Sequence, residues 1–208
     1  MTSDQWAASS KECTAFSNEQ PVTSNEQRIT NSCNPQSAIR YHICSTAFGY
    51  TAILFQTEPF HVKRIYLPHS HKKILKMRIQ KTGPAKPGHT RAALNMCKDI
   101  QAYFEGDPIK APWKFLDISR LTPLQRSVLE AVSSVPHGEV RSYGQIAAQV
   151  GHPRACRFVG STLARNPFPI LIPCHRIVRA DGSPGGFYGG TDLKKRMLLL
   201  EKRKAGLQ

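Results

Sequence analysis

The chain is poor in acidic side chains. Fourteen Asp and Glu stand against 29 Lys and Arg in 208 residues, a formal charge of +15. A surface so cationic points to an anionic partner, with nucleic acid first and an acidic membrane surface second. Long apolar runs are also missing. None approaches the ~18 residues that a membrane-spanning helix needs. The first residues, MTSDQWAASSKECTAF, have no basic stretch followed by an apolar one, so no secretory signal is read there. A soluble cytoplasmic protein is expected, or a nuclear one in a nucleated cell. No CxxC pair occurs among the six cysteines at 13, 33, 44, 97, 156 and 174. Without a secretion signal, free thiols are expected rather than disulfides. No internal repeat is visible.

What is present falls into three parts. Residues 1–38 are rich in Ser, Thr, Asn, Gln and Glu and read as a disordered polar tail, with Trp6 and Phe16 isolated in it. Residues 39–118 read as an α/β domain. IRYHICSTAFGYTAILFQ suggests two strands with a turn near Gly49, and FHVKRIYLP suggests a third. TRAALNMCKDIQAYFEG reads as a helix ended by Gly106, with Ala93, Leu94, Cys97, Ile100, Ala102 and Phe104 on its apolar side. KTGPAKPG between them reads as a basic loop. Residues 119–208 form a mainly helical domain. The charge excess lies in the two folded parts, +8 over residues 40–118 and +9 over residues 119–208.

In the third part, Thr122 caps a helix and Pro123 suits its first turn. SYGQIAAQVG is a second helix, with Ser142 as N-cap and Gly151 as stop. RACRFVGSTLARN is a third. Two short helices joined by a tight turn have the form of a helix-turn-helix, and Arg154, Arg157 and Arg165 give the second one a basic character. Its Ala155, Cys156, Gly160, Ser161 and Thr162 are small. Small side chains allow close backbone approach, which suits the narrow minor groove better than base readout in the major groove. The closing helix, LKKRMLLLEKRK, is expected to turn Met197, Leu198 and Leu200 inward and its cations outward.

NPFPILIPCHRIV, residues 166–178, places a thiol beside an imidazole and a guanidinium at the end of a short buried strand. A thiolate, not a thiol, is the nucleophile, so Cys174 needs help to ionise. Neighbours on an extended strand point to opposite faces. His175 would therefore reach Cys174 only through a turn or a bridging water. An acid should orient the imidazole, and Asp181, Asp192 and Glu201 are available.

The ordered set GEVRSYGQIA, RxVG, NPxPILIPCHRIV and GGFYGG, followed by a helix reaching a glutamate, resembles the O6-alkylguanine-DNA alkyltransferases over residues 120–203. The resemblance implies an RNase H-like N-terminal domain, a small antiparallel sheet plus helix, and a winged-helix-like C-terminal domain. It implies Cys174 as alkyl acceptor, activated by His175 through a water, with Glu201 polarising His175. Tyr143 would donate a hydrogen bond to the leaving base, and Asn166 would brace the turn that holds the cysteine. Arg157 would enter the base stack where the nucleotide is extruded. Ser142, Arg154, Ala155, Cys156, Gly160, Ser161 and Arg165 would face DNA. Pro169, Val178, Arg179, Phe187 and Tyr188 would line the base pocket.

The implied partner is duplex DNA carrying O6-alkylguanine, with O4-alkylthymine as a further lesion, acted on once per molecule by a monomer. No cofactor is implied, because the protein is the second substrate. Phe158 and Tyr188 depart from the small residues usual at those places. Some relatives carry a structural zinc near the N-terminus. Cys13, Cys33, His42, Cys44 and His61 match no metal spacing, so no metal ligand is assigned. A non-catalytic lesion binder is the alternative, opposed by the intact PCHR. A transcription regulator and a Cys–His hydrolase fit less of the motif set.

Overall fold

The computed structural model describes residues 38–204 and 206. The polar tail, with Trp6, Phe16, Cys13 and Cys33, lies outside them. Three strands open the described chain, β1 (Ile39–Thr46), β2 (Gly49–Gln56) and β3 (His61–His69). They pair antiparallel, and Gly49, at φ +111, makes the first turn. A short β4 (Lys86–Pro87) runs parallel to β1, so the sheet order is β3-β2-β1-β4. The sheet is therefore mixed rather than purely antiparallel.

Helix α1 (Lys72–Thr82) precedes β4 and α2 (Arg91–Glu105) follows it. They cover opposite faces of the sheet. Leu75 and Ile79 of α1 pack with Ala52, Leu54 and Tyr66, while α2 joins the main core with Ile53, Phe55 and Ile65. The Thr90 side chain caps α2 and Gly106 ends it in the left-handed region. Leu94 is exposed, contrary to the expected apolar side, and Met96 and Tyr103 are buried there.

In the second half come α3 (Pro123–Ser133), β5 (Arg141–Ser142), α4 (Tyr143–Gln149), α5 (Cys156–Ala164), β6 (Ile177–Val178) and α6 (Thr191–Lys204). Thr122 with Gln125, and Ser142 with Gln145, form reciprocal capping boxes that satisfy orphan helix donors. Helix α5 is shorter than its sequence pattern suggests, so Arg154 lies in the turn before it and Arg165 just past its end. One continuous core joins Ile65 and Phe104 of the first half to Val128, Ile146, Ile172 and Met197 of the second.

Cys44 of β1 and Cys97 of α2 are joined by a disulfide, against the expectation of free thiols throughout. The physical reason is topological. Packing of α2 on β1 brings together cysteines 53 residues apart, which sequence spacing cannot show. Cys156 and Cys174 are free. No helix among the described residues is long and apolar enough to cross a membrane.

Candidate active site

Cys174 does not end a strand. Residues 174–176 form a single 3-10 turn, closed by Arg176 N–H donating to the Pro173 carbonyl at 2.9 Å. Proline lacks an amide donor and fixes φ, which favours a turn over continued pairing. Asn166 fastens the approach to this turn. Its Nδ2 donates to the Ile172 carbonyl at 3.0 Å, and its Oδ1 accepts from Phe168 N–H at 2.9 Å. Between them Ile170 adopts φ +78, a costly conformation for a β-branched residue. The thiol itself is buried. Burial raises its pKa, and the Asn166 side chain and the Lys194 charge pull the other way.

His175 and Glu201 are wholly buried and face each other. Nε2 lies 2.7 Å from Glu201 Oε1. Glu201 also accepts from Tyr103 Oη at 2.9 Å, from Arg176 Nε at 2.9 Å and Nη2 at 3.1 Å, and from Gly138 N–H at 3.1 Å. Burial would raise its pKa, but hydrogen bonds from His175 and Arg176 and the Arg176 charge prevail and hold the carboxyl well below the usual range. A carboxylate can only accept. Nε2 therefore carries the ring proton, and Nδ1 is the basic nitrogen. Nδ1 is buried with no hydrogen-bond partner among the described residues. Burial, opposed by Glu201, keeps the His175 pKa below its ordinary value, so the ring is a neutral base near pH 7. Asp181 and Asp192 are exposed and distant in role: Asp181 caps its own loop through Ser183 N–H.

Cys174 opens onto a cavity of about 440 Å³. Tyr143, at the start of α4, lines it with Gly160 and Leu163 of α5 and with Pro169, Phe187 and Tyr188. Parallel pairing of Ser142 with Val178 fixes Tyr143 beside the cysteine turn. Burial raises the Tyr143 pKa, and so does negative charge at Cys174, so the phenol stays a donor. Gly185 makes the glycine loop fit: at φ +65, an added Cβ would lie 3.1 Å from Tyr143 Oη.

The described residues match the model of the 6-O-methylguanine DNA methyltransferase DNA-binding domain over residues 123–203. A methylated-DNA–protein-cysteine methyltransferase of Mycolicibacterium paratuberculosis is 40% identical over 132 residues, covering 62% of this chain and 79% of that protein. The chain belongs to the methylated-DNA–protein-cysteine methyltransferase family. A Methanothermobacter thermautotrophicus member is 40% identical over 110 residues, or 53% of this chain and 61% of that relative's length. The crystal structure of Mycobacterium tuberculosis O6-methylguanine methyltransferase superposes with a TM-score of 0.62 at 29% identity, covering 80% of this chain and 94% of that one. The structure of the Mycobacterium tuberculosis protein in complex with DNA gives 0.64 at 29% identity, covering 79% and 94%.

In this family member, the residues assigned from sequence divide by place. Cys174, Tyr143 and Asn166 line one cavity, and His175 and Glu201 form the buried relay behind it. Arg157, Cys156 and Ser161 are exposed along α5, with Ala155 at its N-cap and Gly160 half-buried. Arg165 departs from that face and lines a groove with Lys63, Arg64 and Arg120. Thr162 is buried. Val178 is buried in β6 and Arg179 is exposed, and neither lines the cavity. Phe158 packs against the core, whereas Tyr188 is 63% exposed at the cavity rim.

Three contributors have no counterpart in the sequence reading. Residues Arg64 to Leu67 of β3 form one cavity wall. Tyr103 braces the relay from α2, and its place among apolar residues gave no sign of that. Lys194, expected in water, is fully buried, and its ammonium donates to the carbonyls of Ile177 and Pro184. A signal existed for it. Positions 194, 197 and 201 share one helical face, so an inward Glu201 implies an inward Lys194. Burial lowers its pKa to about 8, while Cys174 raises it. The two groups therefore support each other's charged forms. Lys194→Met should shift the pH dependence of Cys174 alkylation to higher pH and slow it roughly tenfold near neutrality. The check is peptide-mapped alkylation by a free O6-alkylguanine base across pH.

Proposed function

We propose that this chain repairs duplex DNA by moving the alkyl group of O6-alkylguanine onto Cys174 Sγ, once per molecule. The observation that carries the reading is a thiol opening onto a base-sized cavity beside the α4–α5 helix pair, with an oriented neutral imidazole behind it. The thiol proton passes through a water to Nδ1 of His175. Sulfur attacks the alkyl carbon, the S–C bond forms and the C–O6 bond breaks. Guanine leaves with the electron pair, and Tyr143 donates a hydrogen bond to it. Glu201 stabilises the imidazolium that results. The thioether has no route back to a thiolate, so the protein is consumed. This chemistry needs no cofactor.

An alkyl group on O6 is out of reach in a stacked duplex, so the nucleotide must leave the stack. Arg157, exposed on α5, is the side chain that takes its place. Ser142, Ala155, Cys156, Gly160 and Ser161 lie along the same contact, with Arg154 on the backbone. The four-stranded sheet with α2 is read as RNase H-like, and α3 to α6 with β5 and β6 as winged-helix-like. The active species is a monomer in the compartment that holds the DNA.

Two substrates separate flipping from chemistry. With Arg157→Ala, alkyl transfer from duplex DNA should fall roughly tenfold or more, because unstacking costs a few kcal/mol. Transfer from the free alkylated base should be unchanged. Equal rates for wild type and variant on the duplex would remove Arg157 from this role. Repeated turnover of either substrate would exclude the stoichiometric reading.

A further inference from the structure

Over one long stretch of the first half, acidic side chains are absent altogether. From Pro59 to Lys98 the sequence holds ten Lys and Arg and no Asp or Glu. Five of the ten stand on α1, at Lys72, Lys73, Lys76, Arg78 and Lys81. Arg78 is half-buried and the four lysines are exposed. None of the five has a salt-bridge partner among the described residues. Lys72 with Lys76, and Arg78 with Lys81, are neighbours on the helix surface, where like charges repel. Lys72 and Lys73 also sit in the first turn, at the positive end of the helix dipole. A polyanion lying along such a surface would neutralise it.

Helix α1 ends at a groove of about 700 Å³, lined there by Thr82 and Gly83. Lys63 and Arg64 of β3 line it too, with Arg120 from the segment joining the two halves and Arg165 just past α5. Asp117 is the one carboxylate in the lining, and Lys63 takes it at 2.7 Å. Arg64, Arg120 and Arg165 have no acidic partner among the described residues. Two of these cations tie the groove to the proposed substrate path. Arg64 also lines the Cys174 cavity, and Arg165 closes the helix that carries Arg157. A lipid surface is the poorer match, because Met77 is the one exposed large apolar side chain on α1 and a helix that enters the headgroup layer needs an apolar face.

We propose that substrate DNA makes a second backbone contact on this chain. Phosphates of the duplex flanking the lesion lie along Arg165, Arg120 and Arg64 and reach Lys81 at the end of α1. The inference rests on duplex DNA being the substrate. It adds a contact from the first half of the chain to the one made by α4 and α5. Base edges play no part in it, so the track adds affinity and orientation without sequence preference.

The test is fluorescence anisotropy of the full chain on a long duplex carrying one O6-methylguanine, across a range of salt. Arg120→Gln/Lys81→Gln should weaken binding roughly tenfold and lower the slope of log affinity against log salt by about 0.9 for each cation removed. Lys98→Gln/Lys110→Gln removes the same charge from α2 and the loop after it, outside the groove lining, and should leave that slope as it is. All four side chains are exposed, so neither double variant opens the core. In hydroxyl-radical footprints, Arg120→Gln/Lys81→Gln should protect a shorter stretch of flanking backbone around the same lesion. Equal slopes for the wild type and both doubles would overturn the proposal. So would equal losses from both doubles, which would assign the effect to net charge, and so would a loss seen on phosphatidylserine vesicles but not on DNA. A wild-type chain that does not bind the duplex at all gives a distinct result, removing the reading of DNA as substrate on which this contact rests.

Discussion

Cys174→Ser should abolish alkyl transfer, by on the order of 10⁶-fold as for other covalent nucleophiles, while lesion binding persists. The site is built for sulfur. His175 is a weak base, kept neutral by burial against the pull of Glu201. It can assist a thiol, whose pKa is within reach, but not an alcohol, which is far less acidic. Lys194 and Asn166 favour a charge at this position only by partly offsetting burial. The serine hydroxyl fits the same space, so the cavity and the exposed face of α5 remain. Gel-shift affinity for an O6-methylguanine duplex should therefore match wild type, with no transfer of a labelled methyl group. Residual transfer above a hundredth of the wild-type rate would mean that another cysteine, such as exposed Cys156, accepts the group.

Glu201→Gln should cost both stability and rate. The carboxylate receives five hydrogen bonds from four residues and neutralises Arg176, which is 3% exposed. An amide offers one acceptor oxygen, and its NH₂ would face other donors. Breaking a buried ion pair from one side costs about 3–5 kcal/mol. For a fold of this size that corresponds to a melting temperature lower by roughly 10 °C. The exposed Arg126–Glu130 pair is the control, where Glu130→Gln should cost less than about 1 kcal/mol. Alkyl transfer should fall by about 10²–10⁴-fold, because a neutral amide holds the proton on Nε2 less firmly and does not stabilise the imidazolium with a charge. Thermal unfolding and single-turnover rates measure the two effects separately.

The same cluster sets an acid sensitivity. Glu201 has a folded pKa below its ordinary value of 4.5, and His175 one below its ordinary 6.5. In both cases the unfolded chain binds more protons, so stability rises with pH. The contribution is complete above about pH 6.5. It declines first as unfolded histidine takes up a proton, and further as pH falls below the ordinary glutamate value. Glu201→Gln should flatten the lower part of that dependence.

Local chemistry made much of the fold readable. Gly49, Gly106, Thr122 with Pro123, and Ser142 with Gly151 mark turns and caps that the structure places where the residues suggest. Helix α1 escaped because it buries only Leu75 and Ile79, and its N-cap, His71, makes no side-chain cap. Such a helix is defined by what it packs on rather than by its own signals. The cysteine motif singles out residues 174–176, yet the turn they form follows from Pro173 and from Asn166, which holds the preceding loop. Tyr103 and the Cys44–Cys97 pair depend on where α2 docks, which no local pattern encodes. Lys194 was readable from helical spacing once Glu201 was placed inward.

The most direct measurement is intact-protein mass spectrometry after incubation with a duplex carrying one O6-methylguanine, followed by peptide mapping. The proposed function requires a gain of one methyl group, saturating at one per molecule and confined to the peptide that contains Cys174. Tight binding with no change in mass would contradict it and make this chain a lesion binder, with Tyr188 at the cavity rim the first residue to replace.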